Sequence, residues 1–180
     1  MTSSIAWING QWGTAASLNL PLDDRALLLA DGLFETVLVS KGEPQLLREH
    51  LQRWSNSAAL LGMDAPPQRD SLEPLIEAAI QRSQLIKADA ALRLNWSRGS
   101  TSQRGIRLPA SGHHRFWLTL QPCTPTFSPV TTITSRHERR NTSSQLSRCK
   151  TFAYGQSIQA QREAEEQGAD DALLLNTAGA

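Results

Sequence analysis

The chain has 180 residues, 18 basic against 17 acidic side chains for a formal net charge of +1, and 39% hydrophobic residues. That balance excludes nucleic-acid binding through bulk charge, and no apolar run nears the roughly 18 residues of a membrane span. Two cysteines, Cys123 and Cys149, build neither a disulfide scaffold nor a metal site, and the opening MTSSIAWING lacks a secretory pattern, so the expected compartment is the cytoplasm.

In chain order, Ile5-Ala6-Trp7-Ile8 reads as a strand, Asn9-Gly10 as a hairpin turn and Gln11-Trp12 as the return. Gly32 to Val39 is strand-like, with a turn at Lys41-Gly42-Glu43. The clearest helix spans Leu47 to Met63, where Leu47, Leu51, Trp54, Ala58 and Leu61 fall on one stripe. A second helix is expected from Ser71 to about Leu85. Ser71 would be its N-cap, Pro74 would sit in its first turn, and Leu72, Leu75, Ile76, Ala79 and Ile80 would be buried. Ala91 to Ser97 alternates as a half-buried strand, with Leu92, Leu94 and Trp96 inward against Arg93 and Asn95. After the loop Arg98 to Gly105, His114 to Leu120 alternates likewise, with Phe116, Leu118 and Leu120 inward. Pro122, Pro125 and Pro129 mark a linker. Beyond it come a strand at Thr131–Thr134, a helix from Ala153 to Gln167 closed by Gly168, and a buried strand at Asp171–Leu175. The turn at Asn176–Gly179 then has no second arm, and the chain reads as truncated.

The sequence contains no metal cluster, phosphate loop, dinucleotide fingerprint or nucleophile elbow. Three weaker signals remain. On the first long helix, His50 and Arg53 lie near −60° and −120° from Leu47, at about 100° per residue, and so flank the apolar stripe. A guanidinium there can grip a phosphate through two parallel hydrogen bonds, although on the angle alone a solvated arginine is the stronger reading. Arg98 and Arg104 sit on a Gly/Ser-rich loop suited to a substrate carboxylate, against the plainer reading of an exposed hairpin loop. Lys150 is ordinarily read as a surface residue. Yet a lone lysine without a His/Asp partner is what imine formation asks for, and its amine must be neutralised by burial or by a cation such as Arg148. Arg136, Arg139, Arg140 and Arg148 would form a local nucleic-acid patch, the weakest alternative.

The ordered pieces Trp7-Ile8-Asn9-Gly10, Asp24-Arg25, Asp31-Gly32-Leu33-Phe34-Glu35-Thr36, His50-Leu51-Gln52-Arg53, Ser97-Arg98-Gly99-Ser100 and Lys150-Thr151, leading to Glu163-Ala164 and Gly168, resemble the class IV aminotransferases. These are the fold type IV enzymes of pyridoxal 5′-phosphate (PLP), and they include branched-chain and D-amino-acid aminotransferases and 4-amino-4-deoxychorismate lyase. The resemblance implies an α+β fold in two domains. A small N-terminal α/β sandwich would occupy residues 1–120, a linker 121–130, and the truncated start of a larger barrel-like PLP-binding domain 131–180.

It further implies PLP held covalently by Lys150, its phosphate met by Arg53, and a substrate carboxylate met by Arg104 or Arg98. Tyr154 falls four residues after Lys150, where branched-chain enzymes place a cofactor-ring tyrosine at five; it reads as a cofactor contact or as a core tyrosine. Leu38 stands where some relatives carry arginine, and the glutamate that would pair with the pyridine nitrogen is expected past residue 180. Phe34-Glu35-Thr36 and the loop from Ser97 to Gly105 look closer to the lyase, implying release of 4-aminobenzoate and pyruvate for folate synthesis. The alternatives are a D-amino-acid or branched-chain transaminase, and a catalytically incomplete remnant acting as a binding domain. The expected partners are a small amino/carboxylate substrate and a second subunit in a homodimer, with no metal, nucleic acid or membrane.

Overall fold

Asn9 and Gly10 both take positive φ, 50° and 81°, as a two-residue hairpin turn between right-twisted strands requires. They join β1 (Ile5–Ile8) to β2 (Gln11–Gly13). The architecture comes from a computed structural model describing residues 4–102, 105–108 and 113–179. Four more strands extend the hairpin into a sheet: β3 (Gly32–Ser40), β4 (Glu43–Pro44), β5 (Ala90–Ser97) and β6 (Arg115–Pro122). The order is β2-β1-β6-β5-β3-β4 and every neighbouring pair is antiparallel.

Alternation decides the faces. Leu33 and Val37 of β3 register with Trp96 and Leu92 of β5, and Leu94 and Leu92 with Leu118 and Leu120 of β6. These residues form one core with helices α2 (Leu47–Leu60) and α3 (Arg69–Ser83). The stripe read from the sequence is the packed one: Leu47, Trp54 and Ala58 are buried, and Leu51 and Leu61 pack against them.

The second helix departs from expectation at its start. It begins at Arg69 after an extended Gln68, and Ser71 is not the N-cap; its hydroxyl donates to the Gln68 carbonyl instead. Pro74 therefore lies inside the helix, where it removes one backbone bond rather than none. The short helix α1 (Arg25–Leu29) is capped by Asp24, whose carboxylate accepts from the Ala26 N–H.

β6 runs through Pro122, two residues into the expected linker, and residues 123–131 carry neither helix nor strand. A second sheet then pairs β7 (Thr132–Thr134) in parallel with β8 (Asp171–Leu173), with α4 (Gly155–Glu166) between them in sequence. Among the described residues this sheet has two strands and closes no barrel. Among the same residues, no helix is long and apolar enough to cross a membrane, and no group of three or more His, Cys, Asp or Glu is placed to hold a metal ion.

Candidate active site

β4 covers β3 only at Val39 and Ser40. Farther back, the open edge of β3 is taken by the segment that carries Lys150. The Phe34 N–H donates to the Lys150 carbonyl at 3.0 Å, the Phe152 N–H donates to the Gly32 carbonyl at 3.1 Å, and Leu33 bridges Thr151. Gly32 is what admits this segment. A Cβ there would lie 2.2 Å from the Phe152 ring and 2.8 Å from the Trp96 carbonyl oxygen. Phe152 stacks on Phe34, with ring centroids 6.1 Å apart at 2°, and on Trp117 at 5.7 Å. The lysine is thus seated on an aromatic floor. Its Nζ stands 4.5 Å from the centroid of the Phe34 ring and donates to the Tyr154 hydroxyl at 3.0 Å. Tyr154 is 41% exposed, which excludes the core-tyrosine reading.

Phe34 and Glu35 are neighbours on β3 and so face opposite sides of the sheet. Glu35 points among the core residues beneath α2 and is 1% exposed. There it meets the two polar residues that flank the helix stripe. His50 Nδ1 lies 2.8 Å from Glu35 Oε2, Arg53 Nε donates to Glu35 Oε1 at 2.7 Å, and Arg53 Nη2 donates to Oε2. This hydrogen-bonded carboxylate holds the Arg53 guanidinium above the ordinary arginine pKa. Half of the Arg53 side chain remains exposed and lines an open cleft of about 690 Å³, together with Arg140, Arg148, Lys150, Thr151 and Tyr154. The cleft brings together Lys150, Arg53 and Tyr154 from the sequence reading. Its cations can neutralise a dianion while the amine stays within reach of the same ligand.

The two loop arginines do not join them. Arg98 is 7% exposed, and all three of its guanidinium nitrogens are engaged: Nε with the Asp31 carboxylate, Nη1 with the Gly62 carbonyl and Nη2 with the Leu61 carbonyl. As placed it braces the turn after α2 rather than presenting itself to a substrate, because the burial that satisfies its donors also hides them. Arg104 lies outside the described residues.

Two residues escaped the sequence reading. Arg93 projects from β5 on the Phe34 side, its Cζ 3.5 Å from that ring's centroid and its Nε donating to Asn95 Oδ1 at 2.9 Å. Among the described residues it has no carboxylate partner, and burial lowers its pKa from the ordinary value. The signal was a lone charge in the middle of a central strand, which alternation alone makes look solvated. Glu35 shared the parity of Val37 and Val39 in an otherwise apolar inner face, and that anomaly could have exposed it.

The profile of the family described as amino-transferase class IV matches residues 32–180. The chain is 30% identical to the Mycobacterium tuberculosis protein named bifunctional aminodeoxychorismate lyase / D-amino acid transaminase, over 89% of this chain and 56% of that protein. It also superposes on a hypothetical aminotransferase from Mycobacterium tuberculosis in its PLP-bound form, with a TM-score of 0.79 and 25% identity over 98% of this chain and 63% of the other. A 4-amino-4-deoxychorismate lyase from Pseudomonas aeruginosa shares the fold at a TM-score of 0.72 and 24% identity, over 96% of this chain and 62% of that one. The chain therefore spans less than two thirds of the length of these relatives. An amine seated on the sheet edge beside a braced guanidinium, in a chain matched by the family profile over most of its length, makes this protein a member of the class IV aminotransferase family.

Proposed function

We propose that this protein is a PLP enzyme acting as a 4-amino-4-deoxychorismate lyase. The observation that carries this reading is the joint placement of the Lys150 amine and the Arg53 guanidinium on one cationic cleft. The residues present fit the cofactor. Lys150 would bind its aldehyde carbon, Arg53 and Arg148 would face its phosphate, and Tyr154 would stand beside its ring. PLP, when bound, supplies an electron sink for negative charge at the carbon next to the substrate amine.

Everything else falls to the chain. With the cofactor bound, Lys150 Nζ would serve as the base for that carbon's proton and as the acid that returns a proton to the product. Tyr154 accepts a hydrogen bond from Nζ and fixes where the amine points. Arg93, half buried with no acidic partner among the described residues, is suited to a substrate carboxylate. The lyase reading draws on the curated relative that bears both names, and the same relative makes a D-amino-acid transaminase the second reading.

The chain, supplied with PLP and aminodeoxychorismate, should release 4-aminobenzoate, followed by its fluorescence. Amino transfer from a D-amino acid to 2-oxoglutarate without that release would establish the transaminase instead. Lys150→Ala should abolish both the near-ultraviolet to visible absorbance of the bound cofactor and its trapping by borohydride.

The division at 121–130 and the cytoplasmic location belong to the same reading, the latter in keeping with two free cysteines. So does the homodimer. Leu22, Leu27, Leu28 and Leu29 are exposed on and beside α1, the kind of apolar surface that a subunit contact covers. Sedimentation velocity should give twice the chain mass, and a single-chain value would refute the pairing.

A further inference from the structure

A carboxylate 1% exposed beneath a helix is expensive unless its oxygens are fully engaged. Glu35 spends both oxygens on one edge of Arg53 and adds His50 as a third partner. That edge comprises Nε and Nη2, and it is turned inward. Nη2 also lies 3.2 Å from His50 Nδ1, and Nη1 forms the opposite side of the same rigid plane, on the half of the side chain that stays exposed at the cleft. The His50 and Arg53 side chains share a face of α2 because they are three residues apart. His50 thus holds Glu35 from the helix while Glu35 holds Arg53 from the sheet.

We propose that Glu35, steadied by His50, is a positioning residue for the anion site: it fixes the plane of Arg53 so that the free edge of the guanidinium faces the phosphate of the cofactor. The proposal rests on the PLP reading above and adds to it a residue that touches neither cofactor nor substrate. Without the brace, the long Arg53 side chain would sample several rotamers at the mouth of the cleft, and each phosphate contact would have to order it anew.

The experiment compares binding of PLP with binding of pyridoxal, which carries the aldehyde but no phosphate. Both are titrated by absorbance and tryptophan quenching into the chain and its variants. In Glu35→Gln the preference for PLP over pyridoxal should fall about tenfold, the lower end of what loss of an orienting partner ordinarily costs, while pyridoxal binding stays unchanged. In an Arg53→Leu background, Glu35→Gln should leave the preference where Arg53→Leu alone puts it. Equal weakening toward both ligands, or a full additional loss in the Arg53→Leu background, would show that Glu35 merely supports the fold and would overturn the proposal. Should Glu35→Gln fail to fold, Glu35→Asp keeps the charge but withdraws it by one carbon, and is read in the same way. A parent chain that binds PLP no better than pyridoxal would refute the cofactor reading itself, and the brace with it. A parent with a clear preference that Glu35→Gln retains would refute the brace alone.

Discussion

A single hydrogen atom in place of a methyl group at residue 32 lets the lysine segment lie against the sheet. In Gly32→Ala the new carbon would meet the Phe152 ring and the Trp96 carbonyl oxygen at 2.2 and 2.8 Å; the ring is stacked between Phe34 and Trp117, and the carbonyl belongs to β5. The substitution should destabilise the chain by about 1–3 kcal/mol, the usual range for overpacking, and should lower the fraction of chain whose lysine is trapped on PLP by borohydride. Arg93 makes the opposite case, a side chain the fold can spare. Arg93→Gln should leave the melting temperature and cofactor absorbance near parental values while raising the KM for a carboxylate substrate roughly tenfold or more, as befits loss of a charged hydrogen bond. Steady-state kinetics beside a thermal melt would separate the two effects. From local pattern alone Lys150 and Arg53 read as surface residues, and only the resemblance to the class IV aminotransferases singles them out. Glu35 was not legible as their partner, because its link to Arg53 joins a strand to a helix and no local periodicity records it.

The helices show where periodicity suffices and where it does not. The α2 stripe was read correctly because five apolar residues at helical spacing have one way to be buried together. Trp54, 1% exposed at its centre, should cost about 3–5 kcal/mol when cut to alanine, measured by denaturant unfolding. The start of α3 was misjudged because capping residues also stabilise first turns; Ser71 bonds back to Gln68 from within the helix. On α4, Glu163 accepts hydrogen bonds from the Ser135 hydroxyl and the Arg136 N–H, which tie the helix to the loop after β7. The Ser135 hydroxyl first, and that N–H next, hold the Glu163 carboxyl below the usual glutamate pKa. The stabilisation is therefore fully present above the unfolded value, about pH 4.3, and is lost as pH falls through the lower folded value. Glu163→Gln should flatten this acid limb of a plot of melting temperature against pH, leaving little difference between its slope and zero contribution from this site.

Across the whole molecule, strand identities followed from alternation and the two-residue hairpin, whereas strand order did not. β1 sits beside β6 and β5 beside β3, pairings between segments far apart in sequence that no local pattern specifies. The α+β class was legible, as was the break in regular structure after Pro122, but not the arrangement that places an amine from beyond that break on the sheet edge. That arrangement has a consequence for length variation. Successive residues of an extended segment point to opposite sides, and the two backbone hydrogen bonds around Leu33 and Thr151 set the phase of Lys150. One residue inserted between Lys150 and Thr151 would swing the amine away from Phe34 while leaving the sheet intact. The same insertion within 123–131 would change only the slack in a stretch without helix or strand. Natural and engineered versions of this chain should therefore accumulate indels in the second stretch and exclude them from the first, a pattern that a deletion and insertion scan scored by cofactor trapping would reveal.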